Sequence, residues 1–505
     1  MPDRHIIWPF HSKWSGQEER HASARFHLIF FHLLTYQTMN TLLAKRMEKW
    51  RDSLFQEVDS ASLVFFRISF GLLMLWEVSR YFSHDWIRRY WINPSFLFGY
   101  EGFEWIRVWA GNGMYVHFMI LGILAFCIAI GLAYRWSMSL FFVGFTYVFL
   151  LDKSYYLNHF YLISLLSGLM IFLPLHRRFA IDAHTGLSSQ SNTVPAWTLF
   201  LLRAQLAIVY FFGGIAKINP DWLNGQPIGK WLAASIDFPL IGSYFTEHWV
   251  VMLFAYGGLM LDLLAAPLLF WRKTRPYAFF VVLLFHLTNA RLFSIGVFPW
   301  FMIAATTLFF EPDWCRRIIP RMKETVEKYR VMVGNRLVLS LLGVFLLIQV
   351  LLPLRHFLYP GDVHWTEEGH RFSWHMKLRS KSGEANFRVV DPASRQTWDI
   401  QPQKFLSKRQ VSKMVGRPDM ILQFSHYLSR YYAYHGYPGV EVYVESYASL
   451  NGHKPRRELV KGHVNLAAIR PSLGHATWIW PSREAAPPRP SPVGRENLLS
   501  GPPRQ

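Results

Sequence analysis

Residues 196–222 read AWTLFLLRAQLAIVYFFGGIAKINPDW and begin as an apolar run about as long as a membrane-crossing helix, for which roughly 20 residues suffice. Lys217 lies near the end of this run, behind Gly213 and Gly214. A lysine at this depth is costly unless it pairs, reaches the interface or takes part in function. Two interpretations stay open. The stem lies in lipid with the ammonium at the interface, or the amine is kept from water, where the neutral form is favoured and can act as a base.

The composition is that of a membrane protein. The chain has 505 residues, of which 51% are hydrophobic and 17% charged, below the ~25% charged residues usual in soluble domains. A net charge of +20 suits nucleic acid or an anionic membrane. The basic residues lie in short loops between apolar runs, so we predict a membrane and no nucleic-acid partner. The two cysteines form no disulfide framework or zinc spacing, and no metal is expected.

Apolar segments predict about nine membrane spans. The predicted spans are residues 61–79, 114–134, 136–151, 157–175, 196–217, 248–270, 277–291, 294–310 and 337–354. Arg67, Glu77 and Arg203 lie inside them and are expected to face a bundle interior or a cavity. For the two arginines, a structural ion pair inside the membrane is the alternative.

Lysine and arginine counts predict the orientation. The loops after the second, fourth, sixth and eighth spans carry the excess: Arg135; His176, Arg177 and Arg178; Arg272, Lys273 and Arg275; Arg316, Arg317, Arg321 and Lys323. These loops and the N-terminus are predicted to be cytoplasmic and the C-terminal region extracytoplasmic. Lys217, His159 and His286 then fall toward the outer side. A single histidine would simply be a packing residue, but three proton-handling groups at similar depth favour a functional site.

The fold class predicted is a polytopic α-helical membrane protein with a C-terminal extracytoplasmic β-rich α+β domain. Residues 1–58 are expected to be an N-terminal arm, partly disordered or interfacial, and residues 59–354 the transmembrane catalytic domain. Alternating β-favouring segments assign residues 355–470 to the outer domain, together with a helix striped by apolar residues and interrupted at Pro418. Residues 471–505 are proline-rich and expected to be disordered.

Several long motifs resemble the vitamin K-dependent gamma-glutamyl carboxylase family, part of the horizontally dispersed transmembrane domain proteins. The motifs are LVFFRISFGLLM, YVFLLDKSYYLNH, LLRAQLAIVYFFGGIAKINPDW, GLMLDLLAAPLLF, FHLTNARLFSIGVFPW and HWTEEGHRFSWHMKLRS. The resemblance covers roughly residues 60–465. It implies an enzyme that oxygenates vitamin K hydroquinone, either phylloquinol or menaquinol, with dioxygen. The strongly basic intermediate leaves as the 2,3-epoxide after removing a gamma proton from a peptide glutamate, whose carbanion takes up carbon dioxide.

The resemblance also implies which residues act. Lys217 falls on the family's catalytic lysine, although Ala216 stands where the family often has a second lysine. A modest base suffices to deprotonate the quinol, because oxygen supplies the remaining driving force, and a neutral lysine fits that role. Asn158 and His159 fall on an Asn-His pair that stabilises the carbanion or places carbon dioxide. His286 falls on a histidine near the active cavity.

Substrate contacts are implied for a segment of the outer domain. Ser373 and Trp374 fall in the part that contacts the glutamyl peptide. Arg379 stands where animal enzymes have a histidine, and its guanidinium could bind a carboxylate bidentately. Arg203, a cation inside the fifth span, is a further candidate for substrate binding. The disulfide that joins an outer loop to the outer domain in animal enzymes has no counterpart here.

Three functions remain open from the sequence: a full carboxylase acting on glutamate-containing peptides, a quinol epoxidase without carboxylation, and a quinone- or lipid-binding membrane protein without turnover. Lys217, Asn158, His159 and His286 argue against the third. Without a secretory leader or disulfides, the expected location is a bacterial inner membrane with the outer domain in the periplasm, or the ER membrane with a lumenal domain in a eukaryote. The native peptide, the native quinone and the oligomeric state are left open.

Overall fold

The structure is a computed structural model that describes residues 39, 41–293, 295–318 and 334–489. Within this part of the chain, nine apolar helices make up the membrane region. They are α1 (Ala61–Ser83), α2 (Gly113–Ile130), α3 (Tyr134–Leu151), α4 (Asn158–Phe172), α5 (Ala196–Ile215), α6 (His248–Phe270), α7 (Arg275–Phe293), α8 (Phe298–Thr306) and α9 (Arg336–Leu354).

Seven of these helices are long and apolar enough to cross a membrane, namely α1, α2, α3, α5, α6, α7 and α9. The helix α4 and the segment Phe298–Phe309, which contains α8, are shorter. Each predicted span therefore coincides with a helix in the described residues, and a helical membrane protein is confirmed. The count of nine spans and their orientation stay predictions.

Small residues let neighbouring helices approach closely. A Cβ atom on Gly71 of α1 would lie 2.6 Å from the carbonyl oxygen of Ala125 in α2. A Cβ atom on Gly214 of α5 would lie 3.0 Å from the backbone nitrogen of Leu263 in α6. Both pairs of helices pack directly. Close approach through small residues is typical of helices in lipid, where burial of apolar surface gives no driving force between helices.

Buried arginines in the bundle bond to the backbone. Arg67 donates to the carbonyl oxygens of Leu175 at 3.1 Å and Ala129 at 3.3 Å. Arg203 donates to the carbonyl oxygens of Leu308 and Phe310. Neither arginine forms a salt bridge with another described residue, so the ion-pair alternative predicted for them is wrong. Carbonyl groups accept from both guanidiniums instead, although the Nε atom of Arg67 has no hydrogen-bond partner among the described residues.

Two sheets complete the fold. A short pair joins β1 (Glu57–Asp59) to β2 (Thr193–Pro195) ahead of α1 and α5. The outer domain has a four-stranded antiparallel sheet in the order β4-β3-β5-β6. Its strands are β3 (Lys381–Val390), β4 (Thr397–Ile400), β5 (Glu441–Leu450) and β6 (Arg457–Val460). The predicted β-rich outer domain is confirmed in this coarse form.

Helix α11 (Pro418–Tyr434) packs against this sheet, and α10 (Lys408–Met414) packs against α11. The predicted interruption at Pro418 is confirmed, because proline begins α11, where its missing N–H costs nothing. Within the apolar stripe, Ile421, Phe424 and Leu428 are fully buried in the core of the outer domain.

The C-terminal end differs from the sequence expectation where it is described, whereas the expectation of a partly interfacial N-terminal arm stays a prediction. Residues 41–55 are helical and largely exposed, and residues 1–38 lie outside the described part. The tail expected to be disordered from residue 471 is folded as far as residue 489. Trp478, Ile479 and Ala486 are buried there, and Ile479 bridges to Val460 of β6. These scattered apolar residues cover the edge of the sheet, which composition alone does not reveal. Residues 490–505 lie outside the described part.

Polar contacts fix the outer domain to the ends of the membrane helices. Asp419 pairs with Lys153 at 2.8 Å and with Arg371 at 2.8 Å. Burial alone raises the pKa of the Asp419 carboxyl, but these two cations outweigh it and hold the pKa well below the usual 3.8. Gln410 of α10 donates to the Asp152 carboxylate at 2.9 Å. The outer domain is thus held over one end of the bundle.

Candidate functional site

A largely apolar cavity of about 580 Å³ lies where α5, α6, α7 and α8 meet the outer domain. Aromatic residues of the loop between α5 and α6, including Trp222 and Trp231, form part of its wall. Met376 and Lys377 of the outer domain line it on the other side. Polar groups are few, as is typical of small-molecule sites. They are Tyr210, Lys217, Asp262, His286, Thr288, Asn289 and Lys377.

Lys217 lies just beyond the end of α5, at the wall of the cavity. Its amine donates to the carbonyl oxygen of Gly213 at 3.0 Å and forms a salt bridge with Asp262 of α6. The amine also lies 5.3 Å from the centre of the Trp222 ring. Only 5% of the Lys217 surface is exposed. The structure therefore disagrees with the interpretation that places the Lys217 ammonium at the membrane interface, because the amine is buried and paired.

Asp262 is a site residue that the sequence analysis missed. Its signal was present in the motif GLMLDLLAAPLLF, because a carboxylate inside an apolar span marks function or pairing. A Cβ atom on Gly213 would lie 3.2 Å from the Asp262 carboxylate. The glycine of α5 therefore makes room for the acid of α6. The partnership itself joins residues on different helices and is not visible in the sequence.

His286 of α7 lies in the same cavity and is 3% exposed. Its Nε2 atom is 3.0 Å from the hydroxyl of Tyr210, which itself lies 3.4 Å from the hydroxyl of Thr306. The Nδ1 atom of His286 has no hydrogen-bond partner among the described residues. A buried unpartnered nitrogen that can donate or accept is suited to a polar group of a ligand.

Asn158 and His159 do not line the cavity but lie behind its wall. The ring of His159 stacks on Phe298 at 5.0 Å, and His286 packs against Phe298 at 6.2 Å. Phe298 therefore separates the His159 ring from the cavity. Asn158 donates from Nδ2 to the backbone oxygen of His375 at 3.1 Å. This bond ties the start of α4 to the outer-domain segment that closes the cavity.

Ser373 and Trp374 also lie outside the cavity lining. The Ser373 hydroxyl donates to the carbonyl oxygen of Gly369 at 2.6 Å. The Trp374 ring is buried and stacks on Tyr161 of α4 at 4.8 Å. These contacts position the segment, and the next residues along it, Met376 and Lys377, reach the cavity.

The two arginine candidates are engaged elsewhere. The Arg379 guanidinium forms a bidentate salt bridge with Glu367 and also contacts His370. Arg203 lies on α5 toward the end opposite Lys217, where it bonds to backbone carbonyl groups. Neither lines the cavity.

Lys377 is a second lysine of the cavity that the sequence analysis missed. Its amine lies 4.5 Å from the centre of the Phe293 ring and 5.4 Å from that of Trp231. The residue is exposed, and none of its described neighbours forms a salt bridge with it. Lys377 therefore places a cation without a described salt-bridge partner at the outer-domain end of the cavity, which is called its aqueous mouth below.

The cavity has a second side that faces lipid. Leu253 and Gly257 of α6 and Val281 and Leu284 of α7 line it and are also exposed on the bundle surface. A Cβ atom on Gly257 would meet nothing within 4 Å. An apolar molecule can therefore reach the cavity between α6 and α7, while a water-soluble molecule reaches it past Lys377.

Comparison with known proteins gives two matches that together span most of the chain. Residues 55–314 match the family model of the HTTM domain. Residues 334–485 match the model described as the vitamin K-dependent gamma-carboxylase, lumenal domain. No solved structure matches the chain.

Proposed function

The chain belongs to the vitamin K-dependent gamma-carboxylase family, and on this basis we propose that it oxygenates vitamin K hydroquinone and carboxylates peptide glutamate. The observation that carries the proposal is one cavity with the Lys217–Asp262 pair, an opening to lipid and a cation at its aqueous mouth. A lipid-soluble quinol and a water-soluble peptide have separate routes to it.

The reaction balances with the substrates that the family implies. The hydroquinone and dioxygen give the 2,3-epoxide and one water. The glutamyl C–H bond breaks, its proton goes to the oxygenated intermediate, and the new C–C bond forms to carbon dioxide. The residues of the cavity must therefore accept one quinol proton, hold the two substrates and exclude bulk water from the strong base.

Lys217 and Asp262 form the proton acceptor in this proposal. An ammonium beside a carboxylate and a neutral amine beside a carboxylic acid hold the same number of protons, so a proton shift within the salt bridge presents a neutral amine to the quinol without loss of a proton from the pair. The neutral amine can then take the quinol proton. The product is an ammonium next to a quinol anion, so the new charges compensate each other within the cavity.

The other polar groups have binding roles. The Nδ1 atom of His286 can hydrogen-bond an oxygen of the quinol ring, with Tyr210 holding the imidazole from the other side. Lys377 binds the glutamyl carboxylate through a charge-assisted hydrogen bond. This role falls to Lys377 because the guanidinium of Arg379 already has Glu367. Asn158 and His159 influence the step after oxygenation as positioning residues, because His159 supports Phe298 of the cavity wall and Asn158 holds the segment that carries Met376 and Lys377.

The second candidate is a quinol epoxidase without carboxylation. The engagement of Arg379 by Glu367 favours it, because the outer-domain residue expected to bind glutamate is occupied. The two functions differ only in whether carbon dioxide is fixed.

A single assay tests both. Protein purified in detergent is supplied with reduced vitamin K, labelled bicarbonate and a short glutamate-containing peptide, and epoxide and fixed label are measured separately. Epoxide and label together support the carboxylase, epoxide alone supports the epoxidase, and folded protein that yields neither overturns both.

Lys377 is tested in the same assay. Lys377→Gln should raise the KM for the peptide about tenfold or more, since a hydrogen bond to a charged group contributes roughly 1.5–3 kcal/mol, and should leave the KM for quinol unchanged. Lys404→Gln is the matched control, because Lys404 is an exposed lysine of the outer domain far from the cavity lining. An unchanged peptide KM in Lys377→Gln would remove Lys377 from substrate binding.

A further inference from the structure

Three histidines of the outer domain converge beside the cavity. One ring nitrogen from each of His364, His370 and His375 lies within 4.8 Å of the other two. His364 belongs to the short helix Val363–Thr366, and the other two follow within the turn that leads to β3. The His375 ring centre lies 5.3 Å from that of His364 and 5.1 Å from that of His370.

The histidines are buried and incompletely satisfied. Their exposed fractions are 8% for His364, 5% for His370 and 5% for His375. The Nδ1 atoms of His364 and His375 have no hydrogen-bond partner among the described residues. A buried polar atom without a partner is uncommon in folded proteins and needs an explanation, and two in one cluster point to a ligand.

Histidine is the commonest metal ligand in proteins, and it binds an ion through the lone pair of an unprotonated ring nitrogen.

Charged groups of both signs face the cluster, namely Arg355, Arg379 and Arg417 and the carboxylates of Asp362 and Glu367. Arg379 contacts Nε2 of His370, but its guanidinium also pairs with Glu367, so it keeps a partner if His370 turns to an ion. A carboxylate oxygen of Glu367 lies 4.0 Å from Nδ1 of His370. A carboxylate behind a metal-binding histidine is the usual arrangement around such ligands, because it orients the ring and raises its basicity.

We propose that His364, His370 and His375 bind a divalent metal ion of the zinc type. Imidazole ligands suit zinc, and nitrogens on one tetrahedral zinc ion lie about 3.4 Å apart for bonds of roughly 2.05 Å. Side-chain rotations that move the nitrogen atoms by on the order of 1 Å bring the three nitrogens to that spacing. The sequence analysis expected no metal because the two cysteines form no zinc spacing, and the proposal departs from that expectation.

The ion has a structural role in this arrangement. It ties together the segment that places Trp374 against Tyr161 and carries Met376 and Lys377 to the cavity. The site is independent of the proposed reaction, because no step of that reaction passes through it.

The test measures metal binding directly on the untagged full-length protein in detergent. After treatment with a chelator and dialysis against Zn²⁺, elemental analysis should find one zinc per chain. His364→Asn and His375→Asn should each weaken zinc binding by about tenfold or more. His426→Asn is the matched control, because His426 is an outer-domain histidine that bonds to the backbone oxygen of Ile469 and lies outside the cluster. Wild-type protein that binds no zinc, or equal binding in all variants, overturns the site.

Two measurements on the wild-type protein keep the test valid if the variants fold poorly. Zn²⁺ should raise the melting temperature of the chelator-treated protein, since a ligand that binds only the native state stabilises it. Co²⁺ in place of zinc should give the visible absorption of a four-coordinate nitrogen and oxygen site. A melting temperature that does not respond to Zn²⁺, with no Co²⁺ spectrum, contradicts the proposal.

Discussion

Replacing Lys217 tests both the chemistry and the packing of the cavity. An alanine substitution at Lys217 should lower the stability of the fold as well as the activity, because Lys217 is buried against Asp262. Lys217→Ala leaves a buried carboxylate without its partner, which costs about 3–5 kcal/mol of folding free energy. If the Lys217 ammonium lay at the membrane interface instead, the same substitution would hardly change the stability of the fold.

The double variant Lys217→Ala, Asp262→Asn separates stability from catalysis. It removes both charges, and replacing a buried ion pair by neutral groups is often close to neutral for stability. Its melting temperature should therefore recover most of the loss seen in Lys217→Ala. Its rate of epoxide formation should be about 10²–10⁴-fold below that of the wild type, which is the usual contribution of a general base.

Lys217→Arg keeps the charge but not the chemistry. A guanidinium does not give up its proton in proteins, and it holds the Asp262 carboxylate ionised. Epoxide formation and carbon dioxide fixation should fall together, because the carbanion step takes its base from the first reaction. Asp262→Asn keeps the amine and should retain part of the epoxidation.

The assay measures epoxide by chromatography and fixed label by scintillation counting, each per milligram of folded protein judged from its melting curve. Near-normal epoxide formation by Lys217→Arg with none by Asp262→Asn would refute the reasoning. The proton acceptor would then be Asp262, and Lys217 would serve only as its counter-ion.

Three further predictions concern access, docking and the second half-reaction. Gly257→Leu should raise the KM for a quinol with a long tail but not for a tail-less analogue, because the leucine narrows the opening to lipid between α6 and α7. Gly343→Leu, on the lipid face of α9, is the control and should change neither KM. Equal effects of the two variants would place the entrance elsewhere. Asp419→Asn should lower the free energy of unfolding by about 3 kcal/mol, whereas Asp399→Asn, which breaks an exposed pair, should cost under about 1 kcal/mol. Since the pKa of Asp419 is lowered, its contribution is present above pH 3.8 and is lost as the pH falls below that value; a wild-type stability that falls no faster than that of Asp419→Asn in this range would contradict it. His159→Ala should keep epoxide formation and lose fixed label, and equal loss of both would move His159 to quinol binding.

Hydropathy predicted the membrane helices well because a backbone in lipid has to satisfy its own hydrogen bonds. An apolar run of sufficient length therefore has almost no alternative to a helix, and each predicted segment coincides with one. The prediction of a disordered C-terminal tail was wrong for the opposite reason. Trp478 and Ile479 are few among prolines and charges, and only the edge of the sheet gives them a place to be buried.

The candidate site was predictable in its residue types but not in its pairings. Lys217 and His286 share the cavity, as their depth in the spans suggested. Phe298 places His159 behind the wall, and no periodicity specifies which ring lies between two histidines on different helices. Asp262 and Lys377 were missed because each acquires its meaning from residues distant in the chain.

The two lysines of the cavity differ in the groups that compensate their charge, and this difference suits them to different substrates. Lys217 is buried and matched by a carboxylate, so the wall that the quinol meets carries no net charge. A neutral, lipid-soluble molecule can enter there without a loss of hydration that an ion would suffer. Lys377 is exposed and lacks an acidic partner among the described residues, so the aqueous mouth attracts a carboxylate. In the proposed function, the glutamyl group binds at the mouth while the quinol occupies the interior, and the base generated inside meets the peptide only where the two routes join.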